Sequence, residues 1–201
     1  MNAPFDLYLA SASPRRRELL EQLGIRYRLI TDLDVDETLL ASEAPDEYVL
    51  RLACDKARAG QQTVHVQRLP DAAVLGADTC IALDGQILGK PDDKEQAIAM
   101  LEALSGRSHE VLTAICLIQG HDVQPALSRS TVTFAPLTSE QIEMYWHSGE
   151  SADKAGAYAI QGQAARFITR LEGSYSGVVG LPLYELSQLL KDQGHVSGNT
   201  D

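Results

Sequence analysis

The sequence predicts an α/β protein with a mixed β-sheet, and three features of the chain support this fold class. Strand-like and helix-like segments alternate from the N-terminus onward. A hairpin signal at Asp84-Gly85 joins two apolar runs, so part of the sheet must be antiparallel. The length of 201 residues suffices for one large domain or two small lobes, and a hydrophobic content of 44% is normal for a globular protein.

Capping and turn signals set the boundaries of the predicted elements. Ser13 and Pro14 are typical of a helix start, and Gly24 of a helix end. Thr138 and Gln141 form a capping box for a later helix. In chain order we expect strands at 6–10 and 27–37, helices at 14–23 and 45–59, a hairpin at 73–90, a helix at 92–104, strands at 110–119 and 129–136, a helix at 138–147, a glycine-rich strand region at 156–173, a turn at 173–182, a closing helix to 190 and a frayed tail at 192–201.

Composition excludes several classes of partner. The net charge of -11 argues against a nucleic-acid or anionic-membrane surface. No apolar run approaches the roughly 20 residues of a membrane span, and the N-terminus lacks the pattern of a signal peptide. The three cysteines are widely spaced among apolar residues, which indicates buried thiols rather than a zinc site or a disulfide framework. We therefore expect a cytoplasmic protein with no nucleic-acid or membrane partner.

Three arginines at the start of the first helix are an exception in this acidic chain, because a helix N-terminus disfavours cations. The apolar stripe of that helix extends back by three and four positions to Arg16 and Arg15, whereas Arg17 falls outside it. The stripe consists of Leu19, Leu20 and Leu23. A charge beside the core must be paired or bind something. The cluster therefore indicates an anion site, with a solvated helix end as the alternative.

The second helix and the following strand add a further cation and an acid. The stripe of Val49, Leu52 and Ala53 continues by seven residues to Lys56, which either snorkels to solvent or joins the anion site. Asp78 lies in the middle of the apolar strand VLGADTCIAL, where a carboxylate is disfavoured. It is either paired with a nearby arginine, or it is a metal ligand or a general base.

The position of Lys90 depends on the hairpin register. Strand alternation puts Asp78 and Thr79 on opposite faces of the sheet. A two-residue turn at Asp84-Gly85 would pair Thr79 with Lys90 and so put Lys90 on the face of Thr79, unless a bulge at Gly89 turns Lys90 to the other face. The run DLDVDE provides further carboxylates, either solvated or available to Mg²⁺, namely Asp32, Asp34, Asp36 and Glu37. Inward cations with carboxylates suit hydrolysis of a nucleoside triphosphate or another polyphosphate.

Six short motifs occur in order between Leu7 and about Leu190: SASPRRRELL, the DE of VDE, LACDKA, GADT followed by GKP, KAGAYAIQG, and GLPL. Together they resemble the Maf nucleotide pyrophosphatases, also called septum-formation inhibitor proteins. The resemblance implies one domain over 1–201, with an elongated mixed sheet flanked by helices and two lobes around a central cleft, similar to the inosine-triphosphate pyrophosphatases. It also implies a nucleoside triphosphate substrate cleaved between the α- and β-phosphates, a divalent metal cofactor (Mg²⁺ or Mn²⁺) and a homodimer.

The resemblance also implies roles for individual residues. The family's catalytic acid corresponds to Asp78 and its second acid to Glu37, and these two would hold the metal. Its phosphate-binding cations correspond to Arg16, Lys56 and Lys90, the two lysines being part of the catalytic set. The remaining substrate-binding positions are Ser11, Ser13, Arg15, Thr79 and Gln161.

The specificity positions favour one branch of the family. In the branch similar to dTTP/UTP pyrophosphatases these positions are Arg15, Thr79 and Gln161, and all three match. The branch that acts on 7-methyl-GTP has SEG where this chain has IQG. A Gln amide can donate to one carbonyl and accept from the N3–H of uracil or thymine. The sequence predicts hydrolysis of dTTP and UTP, with modified pyrimidine nucleotides as further candidates; the alternatives are a 7-methyl-GTP pyrophosphatase and a non-enzymatic septation or cell-division factor.

Overall fold

The computed structural model describes residues 5–152 and 154–192, and its regular elements are as follows. The strands are β1 (Leu7–Ala10), β2 (Tyr27–Leu29), β3 (Ala73–Leu83), β4 (Gln86–Leu88), β5 (Ser108–Gln119), β6 (Asp122–Phe134) and β7 (Ile168–Glu172). The helices are α1 (Pro14–Gln22), α2 (Pro45–Val66), α3 (Lys94–Leu104), α4 (Ser139–His147), α5 (Tyr175–Val179) and α6 (Leu183–Asp192). Two 3₁₀ turns span Ala155–Ala157 and Gln163–Phe167.

The described strands form one mixed sheet of seven strands in the order β2-β1-β3-β5-β6-β7, with β4 paired to β3. β1 runs parallel to β2 and β3, and the other pairings are antiparallel. The predicted α/β class with a mixed sheet is confirmed. The division into two lobes stays a prediction. Within the described residues, no helix is long and apolar enough to cross a membrane.

A gap along one edge of β3 positions the site. The pairing with β1 ends at Ala10 and Gly76, and the pairing with β4 begins at Ile81 and Leu88. The opposite edge of β3 is paired continuously with β5 over this region. Residues 77–80 therefore have no strand beside them on the first edge, and α1 begins just after β1 ends, next to this gap.

Helices cover both faces of β3. Leu75 and Ala77 pack against buried residues of α1, α5 and α6 on one face. On the other face α2 lies directly on the strand at Gly76, where a Cβ would overlap the carbonyl oxygen of Ala53. Asp78 shares this second face, as strand alternation predicts, so its side chain points towards α2.

Three predicted boundaries are wrong, and each has a local physical reason. β6 begins at Asp122 rather than at residue 129, because the chain reverses at Gly120 and β6 pairs with β5 from Gln119 and Asp122 onward. β2 ends at Leu29 rather than at residue 37, because β1, the strand that pairs with it, is only four residues long. α2 does not stop near residue 59 but continues to Val66. Gly60 is not a stop signal here: the helix packs so closely that a Cβ would lie 2.8 Å from Val74 Cγ1.

The helix ends and the C-terminal third differ from prediction in smaller ways. α1 ends at Gln22, and Leu23, predicted in the apolar stripe, is 40% exposed. The glycine-rich region predicted as strand forms the two 3₁₀ turns, and only Ile168–Glu172 pairs in the sheet. The predicted turn at 173–182 contains α5, which Ser174 caps by accepting from Gly177 N–H. The tail was predicted from residue 192; Asp192 ends α6, and 193–201 lie outside the described residues.

Candidate active site

A cleft of about 1020 Å³ opens beside the gap in the edge of β3. Side chains and backbone from α1, α2, β3, the chain after β4 and the segment around residue 160 line it. Asp32, Asp34 and Asp36, the other carboxylates considered for Mg²⁺, do not line this cleft. The structure brings to it every site residue that the family resemblance implies, namely Ser11, Ser13, Arg15, Arg16, Glu37, Lys56, Asp78, Thr79, Lys90 and Gln161. Their individual roles stay predictions.

Lys56 joins the two acids at the centre of the cleft. Its Nζ lies 2.6 Å from Asp78 Oδ1 and 2.6 Å from Glu37 Oε1. Lys56 reaches this point because it continues the buried stripe of α2, and its side chain is only 16% exposed. The sequence analysis offered pairing with a nearby arginine as one possibility for Asp78. In the structure its ion-pair partner is a lysine, Lys56.

The two carboxyls titrate differently because their surroundings differ. Burial raises the pKa of Asp78, which is 8% exposed, although Lys56 and Arg16 pull it down in part. Burial acts in the same direction on Glu37, but the hydrogen bond and charge of Lys56, with the charges of Lys90 and Arg16, bring its pKa below the ordinary value. Such a pair offers a carboxylate that can take a proton beside one that stays ionised.

Arg16 is held in the wall of the cleft by four hydrogen bonds. Its Nε donates to Gly180 O at 2.8 Å, and its Nη1 donates to Ala77 O at 2.9 Å and to Ser11 Oγ at 3.1 Å. Its Nη2 donates to Thr79 Oγ1 at 3.3 Å. Burial lowers the pKa of this guanidinium, and the nearby Asp78 opposes that change. Arg16 thus connects α1, the open edge of β3 and the end of α5 with a fixed positive charge.

Arg15 and Lys90 are cations of the cleft that are not paired with another side chain within the described residues. Both line the cleft, and within residues 5–152 and 154–192 neither side chain forms a hydrogen bond or an ion pair. Arg15 belongs to the first turn of α1, where Pro14 has no N–H and the N–H groups of Arg15 and Arg16 have no partner inside the helix. Cations and free N–H groups together make a site for an anion.

Lys90 reaches the cleft because the hairpin ladder ends early. The last pair is Ile81 with Leu88, so the predicted pairing of Thr79 with Lys90 does not form. The carbonyl of Gly89 instead accepts a hydrogen bond from Gly156 N–H at 2.9 Å. This contact draws the chain out of the ladder, and Lys90 lies near enough to Glu37 to lower the pKa of that carboxyl.

Thr79 belongs to a chain of hydroxyl groups whose polarity is fixed. Thr113 donates its proton to Gly177 O at 2.7 Å. In the 2.9 Å contact between the two threonines, Thr79 must therefore be the donor. Thr79 also accepts from Arg16. Its oxygen can offer the cleft a lone pair but no proton.

The two serines before α1 are linked through the backbone. Ser13 N–H donates to Ser11 Oγ at 3.2 Å, and Ser11 Oγ also accepts from Arg16. Ser13 occupies the N-cap position as predicted, but its side chain makes no capping hydrogen bond. The Ser13 hydroxyl lines the cleft and stays available to a ligand.

Glu150 holds the loop that carries Gln161, and no pattern in the sequence indicates this role. A Glu150 carboxylate oxygen accepts from Gln163 N–H at 2.8 Å, and a Cβ on Gly162 would overlap the same carboxylate. Gln161 directly precedes these two contact positions and is exposed. Because the contact joins two loops, no local pattern reveals it.

Tyr48 is a second cleft residue that the sequence analysis missed. Its hydroxyl donates to the carbonyl of Glu37 at 3.1 Å and so fixes the segment that carries this acid. The signal for it was present, since Tyr48, Leu52 and Lys56 recur every four residues along one face of α2.

The acids of the cleft fit a magnesium-type metal shared with a substrate. Within the described part of the chain, no three His, Cys, Asp or Glu side chains are grouped so that they could hold a metal by themselves. Asp78 and Glu37 supply two carboxylates in one place. Mg²⁺ is commonly bound through one or two carboxylates together with substrate phosphates, so the donor set suits that arrangement.

Two carboxylates, free cations and an open helix N-terminus in one cleft define a class of protein, an enzyme that binds a polyphosphate and activates water against it. The chain belongs to the Maf family, because the family model described as "Maf-like protein" matches residues 6–193.

Three relatives in this family carry the same functional name. A dTTP/UTP pyrophosphatase of Burkholderia pseudomallei (strain 1710b) is 52% identical over 195 residues, which cover 94% of this chain and 93% of that protein. The dTTP/UTP pyrophosphatase of Aromatoleum aromaticum is 50% identical over 197 residues, covering 94% and 96%. That of Pseudoalteromonas atlantica is 50% identical over 184 residues, covering 92% and 95%.

Proposed function

We propose that this chain is a nucleoside triphosphate pyrophosphatase that hydrolyses dTTP and UTP to the nucleoside monophosphate and pyrophosphate. The observation that carries the proposal is the cluster of Asp78, Lys56 and Glu37 facing Arg15 and Lys90 in one cleft. The names and the identity of the relatives support this choice of substrates. Modified pyrimidine nucleotides present the same recognition edge and are further substrates in this proposal.

In the proposed reaction, water attacks the α-phosphorus, the bond from that phosphorus to the bridging oxygen breaks, and pyrophosphate leaves. Asp78 takes the proton from water, and its raised pKa makes it a stronger base than an ordinary carboxylate. Lys56 and Lys90 stabilise the charge that grows on the phosphate oxygens. Arg15 and the first turn of α1 bind the triphosphate, and Arg16 holds this turn against β3.

The proposal includes a divalent cation, Mg²⁺ or Mn²⁺, held by Asp78 and Glu37. Such an ion would neutralise phosphate charge and make a bound water more acidic. The low pKa of Glu37 keeps this carboxylate ionised and ready as a ligand. The family resemblance also supports a homodimer, and the three free thiols favour a reducing compartment such as the cytoplasm.

Pyrimidine selection is assigned to Gln161 with Thr79 and Arg15. The Gln161 amide can donate to one carbonyl of uracil or thymine and accept from N3–H. Thr79 can only accept, because its proton is directed to Thr113. A guanine edge that presents two donors would suit a carboxylate at position 161 better.

The first prediction concerns this specificity. With Mg²⁺, we expect pyrophosphate release from dTTP and UTP, and release at least about tenfold slower from CTP, ATP, GTP and 7-methyl-GTP, as expected for unpaired polar groups in the mismatched complexes. Gln161→Glu should lose the pyrimidine preference, because a carboxylate cannot donate to a carbonyl. Excess chelator should stop turnover.

The matched control is Gln62→Glu, the same change on the exposed face of α2 outside the cleft, which should keep the wild-type profile. Turnover of 7-methyl-GTP instead of dTTP and UTP would keep the class of enzyme but overturn the assignment of the specificity positions. No turnover of any nucleotide would contradict the proposed activity and favour the non-enzymatic role in septation.

The second prediction concerns the charge of Lys56. Lys56 lowers the pKa of Asp78 within its buried setting, so Lys56→Met should raise that pKa and move the acidic limb of the kcat/KM profile to higher pH. We also expect kcat to fall by about 10²–10³-fold, as for the loss of other preorganised donors. Rates of pyrophosphate release with dTTP across pH give both values.

Arg58→Met is the control, since Arg58 is an exposed cation on the same helix and its one ion pair among the described residues is with Asp55. This variant should leave both kcat and the position of the acidic limb of the kcat/KM profile unchanged. An acidic limb that stays in place in Lys56→Met would mean that a group other than Asp78 is the base.

A further inference from the structure

Two cysteines outside the cleft are brought together where α2 crosses the sheet. Cys116 on β5 is the ladder partner of Gly76 on β3 and is fully buried. Directly opposed residues of an antiparallel pair point to the same face, so Cys116 points towards α2, as Gly76 does. Cys54 lies on α2 and is partly exposed.

The lack of a side chain at Gly76 allows this contact. A Cβ there would overlap the carbonyl oxygen of Ala53 and lie 2.5 Å from the backbone nitrogen of Ala57. The helix backbone therefore rests on the strand. Cys54, the residue after Ala53, packs against the buried cluster that contains Cys116, so the two thiols are neighbours.

The two thiols differ in pKa, as a reactive thiolate and its resolving thiol do. The hydrogen bond from Cys116 is the main reason that the pKa of Cys54 is lowered to about 7; burial opposes it and Arg58 assists. The same bond, with burial, raises the pKa of Cys116. Cys54 is therefore partly exposed and partly ionised to the thiolate near neutral pH, and thiolate character with exposure determines which cysteine is oxidised first.

The third cysteine provides an internal comparison. Cys80 on β3 is buried, and burial raises the pKa of its thiol to about 12. It faces the end of α2, where its thiol donates to Pro45 O at 3.7 Å. Cys80 therefore has neither the thiolate character nor a neighbouring thiol.

We propose that Cys54 and Cys116 are a peroxide-sensitive pair, in which Cys54 is the reactive thiolate and Cys116 the resolving thiol. The Cys54 thiolate attacks one oxygen of hydrogen peroxide, the O–O bond breaks, and a sulfenic acid forms while the second oxygen leaves as water after taking a proton. The Cys116 sulfur then attacks the Cys54 sulfur, the S–O bond breaks, and a second water leaves with the Cys116 proton. Two thiols are oxidised to one disulfide, and one peroxide is reduced to two waters.

The two cysteines lie close to the contact between Lys56 and Asp78 in the proposed active site. Cys54 precedes Lys56 by two residues, and Gly76, the partner of Cys116, precedes Asp78 by two. A covalent bond between α2 and β5 would change the position of Lys56 relative to Asp78. Oxidation should therefore lower pyrophosphate release, a consequence that rests on the proposed function, and a thiol reductant should restore it.

The test maps the thiols of the native wild-type protein after treatment with hydrogen peroxide. We expect loss of two of the three thiols, a disulfide-linked peptide pair containing Cys54 and Cys116, and full recovery with dithiothreitol. Cys116→Ser should stop at the sulfenic acid, which dimedone traps on Cys54, whereas Cys80→Ser should still form the disulfide.

Three results would overturn the proposal: retention of all three thiols, loss of all three at similar rates, or oxidation of Cys54 without any linked Cys116. The mapping of the wild-type protein needs no variant to fold and no turnover. A failure of the proposed function would leave its result unchanged, and a disulfide that forms without changing turnover would remove only the link to the active site.

Discussion

Asp78→Asn should abolish pyrophosphate release while the protein stays folded. The amide cannot accept the proton of the attacking water or carry the charge that pairs with Lys56, so kcat should fall by about 10²–10⁴-fold, the usual range for loss of a general base. Release of pyrophosphate from dTTP measures the activity, and urea unfolding followed by circular dichroism measures the fold.

The direction of the pKa shift of Asp78 explains why the fold should survive. Because burial raises this pKa in the folded state, the folded protein holds the proton more tightly than the unfolded chain does. The contribution of Asp78 to stability is therefore greatest below the ordinary pKa of Asp and decreases as the pH rises through the raised value. A neutral Asn removes that penalty, and Lys56 keeps Glu37 as a partner. We expect Asp78→Asn to be at least as stable as wild type near neutral pH, with the difference shrinking on acidification.

Asp84→Asn is the matched control on the same hairpin. Asp84 has a φ of 52° in the turn, a conformation that Asn also tolerates. In the part of the chain that the structure describes, its carboxylate forms one ion pair, an exposed one with Arg107. This variant should turn over dTTP at the wild-type rate. Wild-type turnover in Asp78→Asn would instead assign the proton transfer to another group, with Glu37 the nearest carboxylate.

Residues on regular elements could be predicted because periodicity fixes their direction. The spacing of α2 placed Lys56 on the buried side, and strand alternation placed Asp78 on the face that α2 covers. The structure puts these side chains 2.6 Å apart. The sequence could not reveal that they would meet, because that depends on how closely α2 packs at Gly76.

Residues on irregular segments could not be placed in this way. A simple hairpin register puts Lys90 opposite Thr79. In the structure the ladder ends at the pair Ile81–Leu88, two residues before that position, and the Gly89 carbonyl accepts a hydrogen bond from Gly156 N–H instead. The resemblance implied that Lys90 belongs to the site, and Lys90 does line the cleft, although its role stays a prediction. A family motif carries tertiary information that a local pattern lacks. Glu150 belonged to no motif or period, and only the folded chain shows its contact with Gln163 N–H.

Arg16→Ala should destabilise the protein even without a nucleotide. The guanidinium satisfies the carbonyl oxygens of Gly180 and Ala77, which lie far apart in sequence. Leaving buried acceptors without a partner costs about 1–3 kcal/mol each, so we expect the free energy of unfolding to fall by about 2–5 kcal/mol. Urea unfolding of the ligand-free protein gives this value.

Arg15→Ala, one position earlier in the same turn, should behave in the opposite way. The Arg15 side chain has no hydrogen bond or ion pair within the described residues and lies at the start of α1, so the free energy of unfolding should stay within about 0.5 kcal/mol of wild type. Loss of a charged contact to phosphate should raise the Kd for dTTP by about tenfold or more. If Arg16→Ala unfolded like wild type but lost nucleotide affinity, Arg16 would be a phosphate ligand rather than the link between α1 and the sheet. A loss of stability in Arg16→Ala together with a loss of dTTP affinity in Arg15→Ala would therefore distinguish the arginine that stabilises the fold around the cleft from the arginine that binds the substrate.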